Sequence, residues 1–133
     1  MDDEFQPSAG TAPRPAGGST PVTPATADLP PLPGPDDPAD VAIVGGGPIG
    51  LELAIRLRAA DLRTVQLEAG PIGATIAWWA PGTRFFSSPE RIAIAGVPIP
   101  SSDQSKATRE DYLAYLRAVA AQHRVPVHAW RRV

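Results

Sequence analysis

The sequence predicts an α/β fold with a parallel sheet and flanking helices, preceded by a disordered arm. Three observations predict it. Ten of the seventeen prolines lie in residues 1–38, an apolar run stands at Val41–Val44, and four of the twelve glycines follow within Gly45–Gly50. Proline at that density is typical of chain without a packed core, whereas an apolar strand followed by a glycine turn is typical of nucleotide-binding folds. Residues 39–133 are therefore predicted to form the folded domain.

The arm, residues 1–38, is rich in Pro, Gly and Ala and has almost no large apolar side chains. It cannot bury enough surface to offset the entropy lost on ordering, so disorder with polyproline II character is predicted. Its six acids and one base give −5, while the eight acids and eleven bases of residues 39–133 give +3. The arm is interpreted either as a spacer or as a ligand of proline-binding modules.

Composition excludes several function classes. A body this weakly basic, without a Lys/Arg run, does not predict a nucleic-acid partner. Without cysteine the chain has no disulfide, dithiol redox centre or thiolate metal site, and no metal site is predicted. No run approaches eighteen apolar residues, so no membrane association is expected. The acidic, Pro-rich N-terminus does not resemble a signal peptide, and a cytoplasmic location is predicted.

The folded part is predicted to begin as a strand, a glycine turn, a helix and a second strand. The uninterrupted run Val41–Val44 indicates a parallel strand buried on both faces. The next segment, PIGLELAIRLRAA, spaces Leu51, Ala54 and Leu57 for the buried side of a helix that ends near Asp61. The run TVQLE then reads as the second strand and ends in an acid. This order predicts a partial Rossmann-type βαβ unit.

The glycine turn contains G-x-G-x-x-G, and each glycine has a predicted role. Gly45 makes the tight turn, Gly47 lets main chain approach a pyrophosphate, and Gly50 lets the helix pack closely. Pro48 suits the first helical position because proline has no backbone N–H and the helix needs none there.

The predicted acceptor of the adenosine ribose hydroxyls is Glu68, eighteen residues after Gly50, and a carboxylate there disfavours a 2′-phosphate. The alternative is a purely structural turn. The predicted cofactor-binding set is Gly45, Gly47, Pro48, Ile49, Gly50 and Glu68, with no catalytic residue.

Residues 40–70 resemble the FAD-binding segment of flavoproteins with two dinucleotide-binding domains. This broad group includes thioredoxin-reductase-like oxidoreductases and flavin monooxygenases. The later stretch, with Phe-Phe-Ser, a G-x-P-x-P turn and a helix begun by Thr-Arg, is similar to its bacillithiol-disulfide-reductase-like members. The resemblance implies FAD as cofactor, with NAD(P)H as co-substrate only in a full-length relative. It also implies a truncated chain, because those proteins continue into a second glycine motif. They commonly carry a cysteine at the position of Ile49, so thiol–disulfide exchange is not implied here.

The second half of the chain is predicted in less detail. The aromatic segment AWWAPGTRFF is interpreted as core or interface packing, or as a contact with flavin or substrate. The segment RIAIAGVPIP is predicted to be an edge strand or an extended loop. A capping box of Thr108 and Asp111 is predicted to open a helix that buries Tyr112, Tyr115, Leu116 and Val119. After it, VPVHAW is predicted to be the next parallel strand, and its histidine is interpreted as structural.

Two functions remain open from the sequence. The first is the FAD-binding portion of a flavin-dependent NAD(P)H oxidoreductase, inactive alone, whose partners are FAD and either missing domains or a second copy. The second is a noncatalytic remnant or interaction protein that keeps half of a Rossmann fold, because a sheet of about three strands leaves apolar edges uncovered.

Overall fold

A computed structural model describes residues 29–101 and 105–133. The first 28 residues of the predicted arm lie outside the described residues, so the boundary near residue 39 stays a prediction. The last part of the arm is described. There the guanidinium of Arg63 donates to the Asp37 carboxylate and to the Pro38 carbonyl, which ties this segment to the chain just before the second strand.

The predicted α/β fold with a parallel sheet is confirmed. Strand β1 spans Val41–Val44, β2 spans Thr64–Leu67 and β3 spans Val127–His128. All pairs are parallel and the spatial order is β1-β2-β3, with Ile43 opposite Gln66 and Gln66 opposite Val127. The predicted third strand is therefore present.

Four helices accompany the sheet in the part of the chain that the structure describes. They are α1 at Pro48–Ala59, α2 at Ala74–Ala77, α3 at Pro89–Ile92 and α4 at Arg109–Gln122. Helix α1 packs against β1, β2 and α4, and α4 also packs against α2. The largest fully buried side chains are Leu51 of α1, Gln66 of β2, and Leu116 and Val119 of α4. No helix in the described ranges is long and apolar enough to cross a membrane.

Both helix signals read from the sequence are present. Thr108 caps α4 by accepting from the Asp111 amide, while the Asp111 carboxylate accepts from the Thr108 amide. Asp61 has φ +59, and it follows the C-cap of α1. The Asp61 amide donates to Arg58 O at 3.1 Å and the Leu62 amide donates to Leu57 O at 3.0 Å, which is the bonding of a Schellman motif.

Two local predictions need correction. Strand β1 is not buried on both faces, because Ile43 is buried whereas the Val44 side chain is 69% exposed. Burial alternates along the strand, and the face that carries Ala42 and Val44 is exposed. The segment RIAIAGVPIP does not form an edge strand: its first two residues finish α3 and the rest is a loop, as the alternative expected. Pro98 and Pro100 cannot donate to a strand ladder.

Candidate functional site

The glycine turn leaves β1 in a conformation that glycine adopts easily. Gly45 has φ +114, and its amide donates to Leu67 O at 2.8 Å, which prolongs the pairing with β2 by one bond. Gly47 is the N-cap of α1 with φ −83, and Pro48 follows as the first helical residue. Among the described residues, no side chain caps this helix start. Its first-turn amides therefore remain available to a ligand, with the positive end of the helix dipole behind them.

Two carbonyl groups of the turn point into the protein. Gly45 O accepts from the Gln66 side-chain amide at 2.8 Å, and Gly46 O accepts from the Gly73 amide at 3.0 Å. Because these two carbonyl oxygens bond inside the protein, they do not present negative partial charge on the outer surface of the turn. This arrangement lowers the repulsion that an anion would meet there.

The glycines differ in the space around them. A β-carbon added at Gly50 would lie 2.3 Å from Gly45 O and 2.9 Å from Gln66 Nε2, so α1 approaches its own turn too closely for any side chain. A β-carbon at Gly47 would meet no atom within 4 Å. Packing therefore explains glycine at position 50. It does not explain glycine at position 47, where main chain borders open space.

Glu68 follows β2 and turns its carboxylate back towards the glycine turn. One oxygen accepts from the Gly46 amide at 2.5 Å and the other from the Gly70 amide at 2.9 Å. The Glu68 backbone is fixed as well, since its amide donates to His128 O at 3.0 Å and its carbonyl accepts from the Arg131 amide at 2.8 Å. The carboxylate oxygens keep lone pairs that could accept from hydroxyl groups.

A cavity of about 690 Å³ begins at these groups and extends past the first turns of α1. Four of the predicted site residues line it: Gly47, Pro48, Ile49 and Glu68. Ile49 lines the cavity although it is 80% exposed, so most of its side chain faces solvent. Gly45 and Gly50 belong to the turn but do not line the cavity. The structure thus brings all six predicted residues together, with four at the surface of the cavity.

Aromatic side chains and a loop complete the lining of the cavity. Trp79, Phe85 and Tyr112 line the cavity, with successive ring centroids 5.0 and 4.5 Å apart. The other two aromatics of the predicted aromatic segment face solvent: Trp78 is 89% exposed and Phe86 96%. The segment therefore contributes one Trp and one Phe to the cavity and does not form a core of its own.

Two functional positions were missed from the sequence. Gln66 is 1% exposed, and its Oε1 has no partner in the described part of the chain, yet its Nε2 holds the glycine turn. A glutamine between the apolar residues Val65 and Leu67 was the available signal. Glu52 lines the cavity one turn after Pro48. Its pKa is lowered chiefly by the hydrogen bond from Arg56 and next by the bond from the Ala95 amide.

The residues of the site fit the ADP portion of a dinucleotide. Unpaired helix amides, open space beyond Gly47 and a fixed carboxylate at the end of β2 suit a pyrophosphate next to a ribose. No group of three or more residues able to hold a metal ion occurs within residues 29–101 and 105–133.

Comparisons with known proteins agree with this geometry. The family model described as pyridine nucleotide-disulphide oxidoreductase matches residues 42–133. The bacillithiol disulfide reductase of Bacillus cereus is 36% identical, with a TM-score of 0.68 over 71% of this chain and 29% of that one. A flavin-containing monooxygenase from Stenotrophomonas maltophilia is 33% identical, with a TM-score of 0.64 over 71% of this chain and 29% of that one.

A third structure, OTEMO in complex with FAD and NADP, is 25% identical with a TM-score of 0.60 over 77% of this chain and 20% of that one. The chain thus spans less than a third of the length of each of these relatives. No match was found among curated proteins. The resemblance to bacillithiol-disulfide-reductase-like flavoproteins is confirmed. The chain belongs to the pyridine nucleotide-disulphide oxidoreductase family.

Proposed function

We propose that this chain is the FAD-binding portion of a flavin-dependent NAD(P)H oxidoreductase and that it holds the ADP half of FAD. One observation carries the proposal. The start of α1 at Gly47 and the Glu68 carboxylate line the same cavity, beyond the carboxyl ends of β1 and β2. In open parallel sheets that edge is where nucleotides bind.

Each residue has a role that follows from its position. The first-turn amides of α1 bind the pyrophosphate, which main chain can approach because Gly47 has no β-carbon. The ribose hydroxyls donate to Glu68, whose carboxylate is held in place by the amides of Gly46 and Gly70. Gly45 and Gly50 give the turn its shape. When bound, the flavin supplies the hydride chemistry, while these residues bind and orient it.

NAD(P)H is proposed as the co-substrate of the complete oxidoreductase, at a site other than this one. The sequence has a single G-x-G-x-x-G motif, and the proposal gives that motif to FAD. No residue of this chain is given a catalytic role, and the chain alone is proposed to be inactive. Thiol–disulfide exchange is not proposed, since position 49 is isoleucine. A cytoplasmic location stays a prediction.

Calorimetric titration of the full chain tests the proposal with three ligands. FAD and ADP share the pyrophosphate and adenosine, whereas riboflavin has neither. We expect FAD and ADP to bind and riboflavin to bind at least about 100-fold more weakly, because the helix start and Glu68 contact only the ADP portion. Absence of binding by both FAD and ADP, or equal binding of riboflavin and FAD, would contradict the proposal.

A second candidate function is an interaction module, and the open edge of β1 favours it. In the described residues β1 pairs with β2 alone, and Val44 is exposed. Exposed strand edges promote pairing with other chains or domains. Light scattering during size-exclusion chromatography separates the candidates. An interaction module forms a defined oligomer without FAD and does not bind it, whereas the flavoprotein portion binds FAD in any oligomeric state.

A further inference from the structure

The cavity lining includes residues of a tight turn at 94–97. The Val97 amide donates to Ile94 O at 3.0 Å, and the two central residues, Ala95 and Gly96, have φ +55 and +69. Positive φ at both central positions is typical of a type I′ turn. Glycine adopts it freely, but alanine does so at a cost because its β-carbon crowds the main chain. Surrounding contacts must therefore hold Ala95 in place.

Tyr115 of α4 provides part of that support through its hydroxyl group. Its hydroxyl accepts from the Ile94 amide at 2.7 Å, and the carbonyl oxygens of Val97 and Ile94 lie 2.8 and 3.1 Å away, where it can donate. Tyr112 donates to Ile92 O at 2.8 Å. Both tyrosines are buried, so water does not compete for these bonds. Helix α4 thus fixes both ends of this turn.

The remaining support comes from the helix that begins at the proposed phosphate site. One oxygen of Glu52 accepts from the Ala95 amide, and the other accepts from Arg56 Nε at 2.7 Å. Glu52 stands one turn after Pro48 on α1, and both residues line the cavity together with Ala95. A single carboxylate therefore connects the helix of the glycine turn to the loop at Ala95 that also lines the cavity.

We propose that Glu52 is a positioning residue that holds the Ile94–Val97 turn so that the cavity accepts the part of the dinucleotide beyond the pyrophosphate. The inference rests on the proposed function. In the proposed function Glu68 and the start of α1 contact the ADP half. Residues 92–96 line the same cavity and are bonded to α1 at Glu52, one turn beyond Pro48. Glu52 thus determines the preference for FAD over ADP, and it does not determine nucleotide binding as such.

A matched pair of variants tests this role. Glu52→Gln removes the charge that Ala95 and Arg56 contact. Glu110→Gln is the control, because Glu110 also accepts from a backbone amide, that of Gly82 at 3.2 Å, and from a neighbouring arginine, Arg109, but does not line the cavity. The full-length chain carrying each change is titrated with FAD and with ADP by calorimetry.

For Glu52→Gln we expect FAD affinity to fall about tenfold and ADP affinity to change less than twofold, since one charge-assisted hydrogen bond is weakened on the FAD side only. Glu110→Gln is expected to change neither. If Glu52→Gln does not fold, Glu52→Asp keeps the charge and withdraws it from Ala95, and the same selective loss is expected.

Three results with the variants would overturn the inference. One is an equal loss of FAD and ADP affinity, one is no loss of FAD affinity, and one is the same selective loss in Glu110→Gln. A wild-type chain that binds FAD no more tightly than ADP would also overturn it, while leaving the proposed function intact. Failure of the wild-type chain to bind either ligand would instead contradict the proposed function.

Discussion

Substitution of two glycines in the same turn should separate ligand binding from folding. At Gly50 an added β-carbon would lie 2.3 Å from a backbone oxygen, a distance that the turn cannot accommodate without moving. Overpacking of this kind costs about 2 kcal/mol or more, so Gly50→Ala is expected to lower the melting temperature by about 10 °C.

At Gly47 the same methyl group meets no atom within 4 Å, and φ is −83, which alanine adopts without strain. Two small effects on stability oppose each other. Alanine is a poorer N-cap than glycine, yet it lowers the entropy of the unfolded chain by a similar amount, so the net change stays within about 0.5 kcal/mol. The methyl group projects into the space proposed for the pyrophosphate. We therefore expect Gly47→Ala to weaken ADP binding at least about tenfold.

Thermal and urea unfolding of the full chain measure its stability, and calorimetry measures its affinity for ADP. The expected pattern is a stable Gly47→Ala that binds ADP poorly and a destabilised Gly50→Ala. Equal ADP affinity of the wild type and Gly47→Ala would show that the glycine at 47 serves only the turn. A loss of stability in Gly47→Ala as large as in Gly50→Ala would contradict the open space beside position 47.

Three other outcomes are expected. Glu68→Gln should cost about 1–2 kcal/mol of ADP binding in calorimetry, because a neutral amide is a weaker acceptor for ribose hydroxyls; unchanged affinity would remove Glu68 from the site. The chain with added FAD should not oxidise NADPH at 340 nm, and turnover by contaminant-free protein would contradict the assignment of its one glycine motif to FAD. Burial raises the pKa of Tyr112 from 10.0 to about 12, so the unfolded chain ionises first and stability should fall as pH rises from about 10 to about 12. Tyr112→Phe should flatten that fall in urea titrations, and an unchanged slope would argue against it.

Local sequence patterns predicted the parts of the fold that depend on local contacts. The turn at Gly45–Gly50, the capping box at Thr108 and the left-handed Asp61 all follow from neighbours a few residues apart. The bond from Glu52 to Ala95 joins residues 43 positions apart. No periodicity within α1 indicates it, because Glu52 alone reads as an ordinary partner of Arg56.

The error at β1 has a different cause. An apolar run predicts what a strand would bury if both of its faces were covered. Whether they are covered depends on what packs on each face, and in the described residues the face that carries Ala42 and Val44 is exposed. Gln66 shows the opposite case, because a polar residue in a strand can be fully buried when the backbone next to it needs a donor.

The open edge of β1 has a consequence for the lifetime of the site. In the described residues the strand that leads into the glycine turn is paired on one side only. Local opening of β1 would therefore carry Gly45 away from Gln66 and dismantle the turn. A nucleotide that binds only the closed form opposes this opening. At 100 times its Kd it stabilises that form by about 2.7 kcal/mol, which slows exchange of the β1 amides with deuterium about 100-fold. Nucleotide binding and the local folding of β1 are then thermodynamically coupled, so each one favours the other.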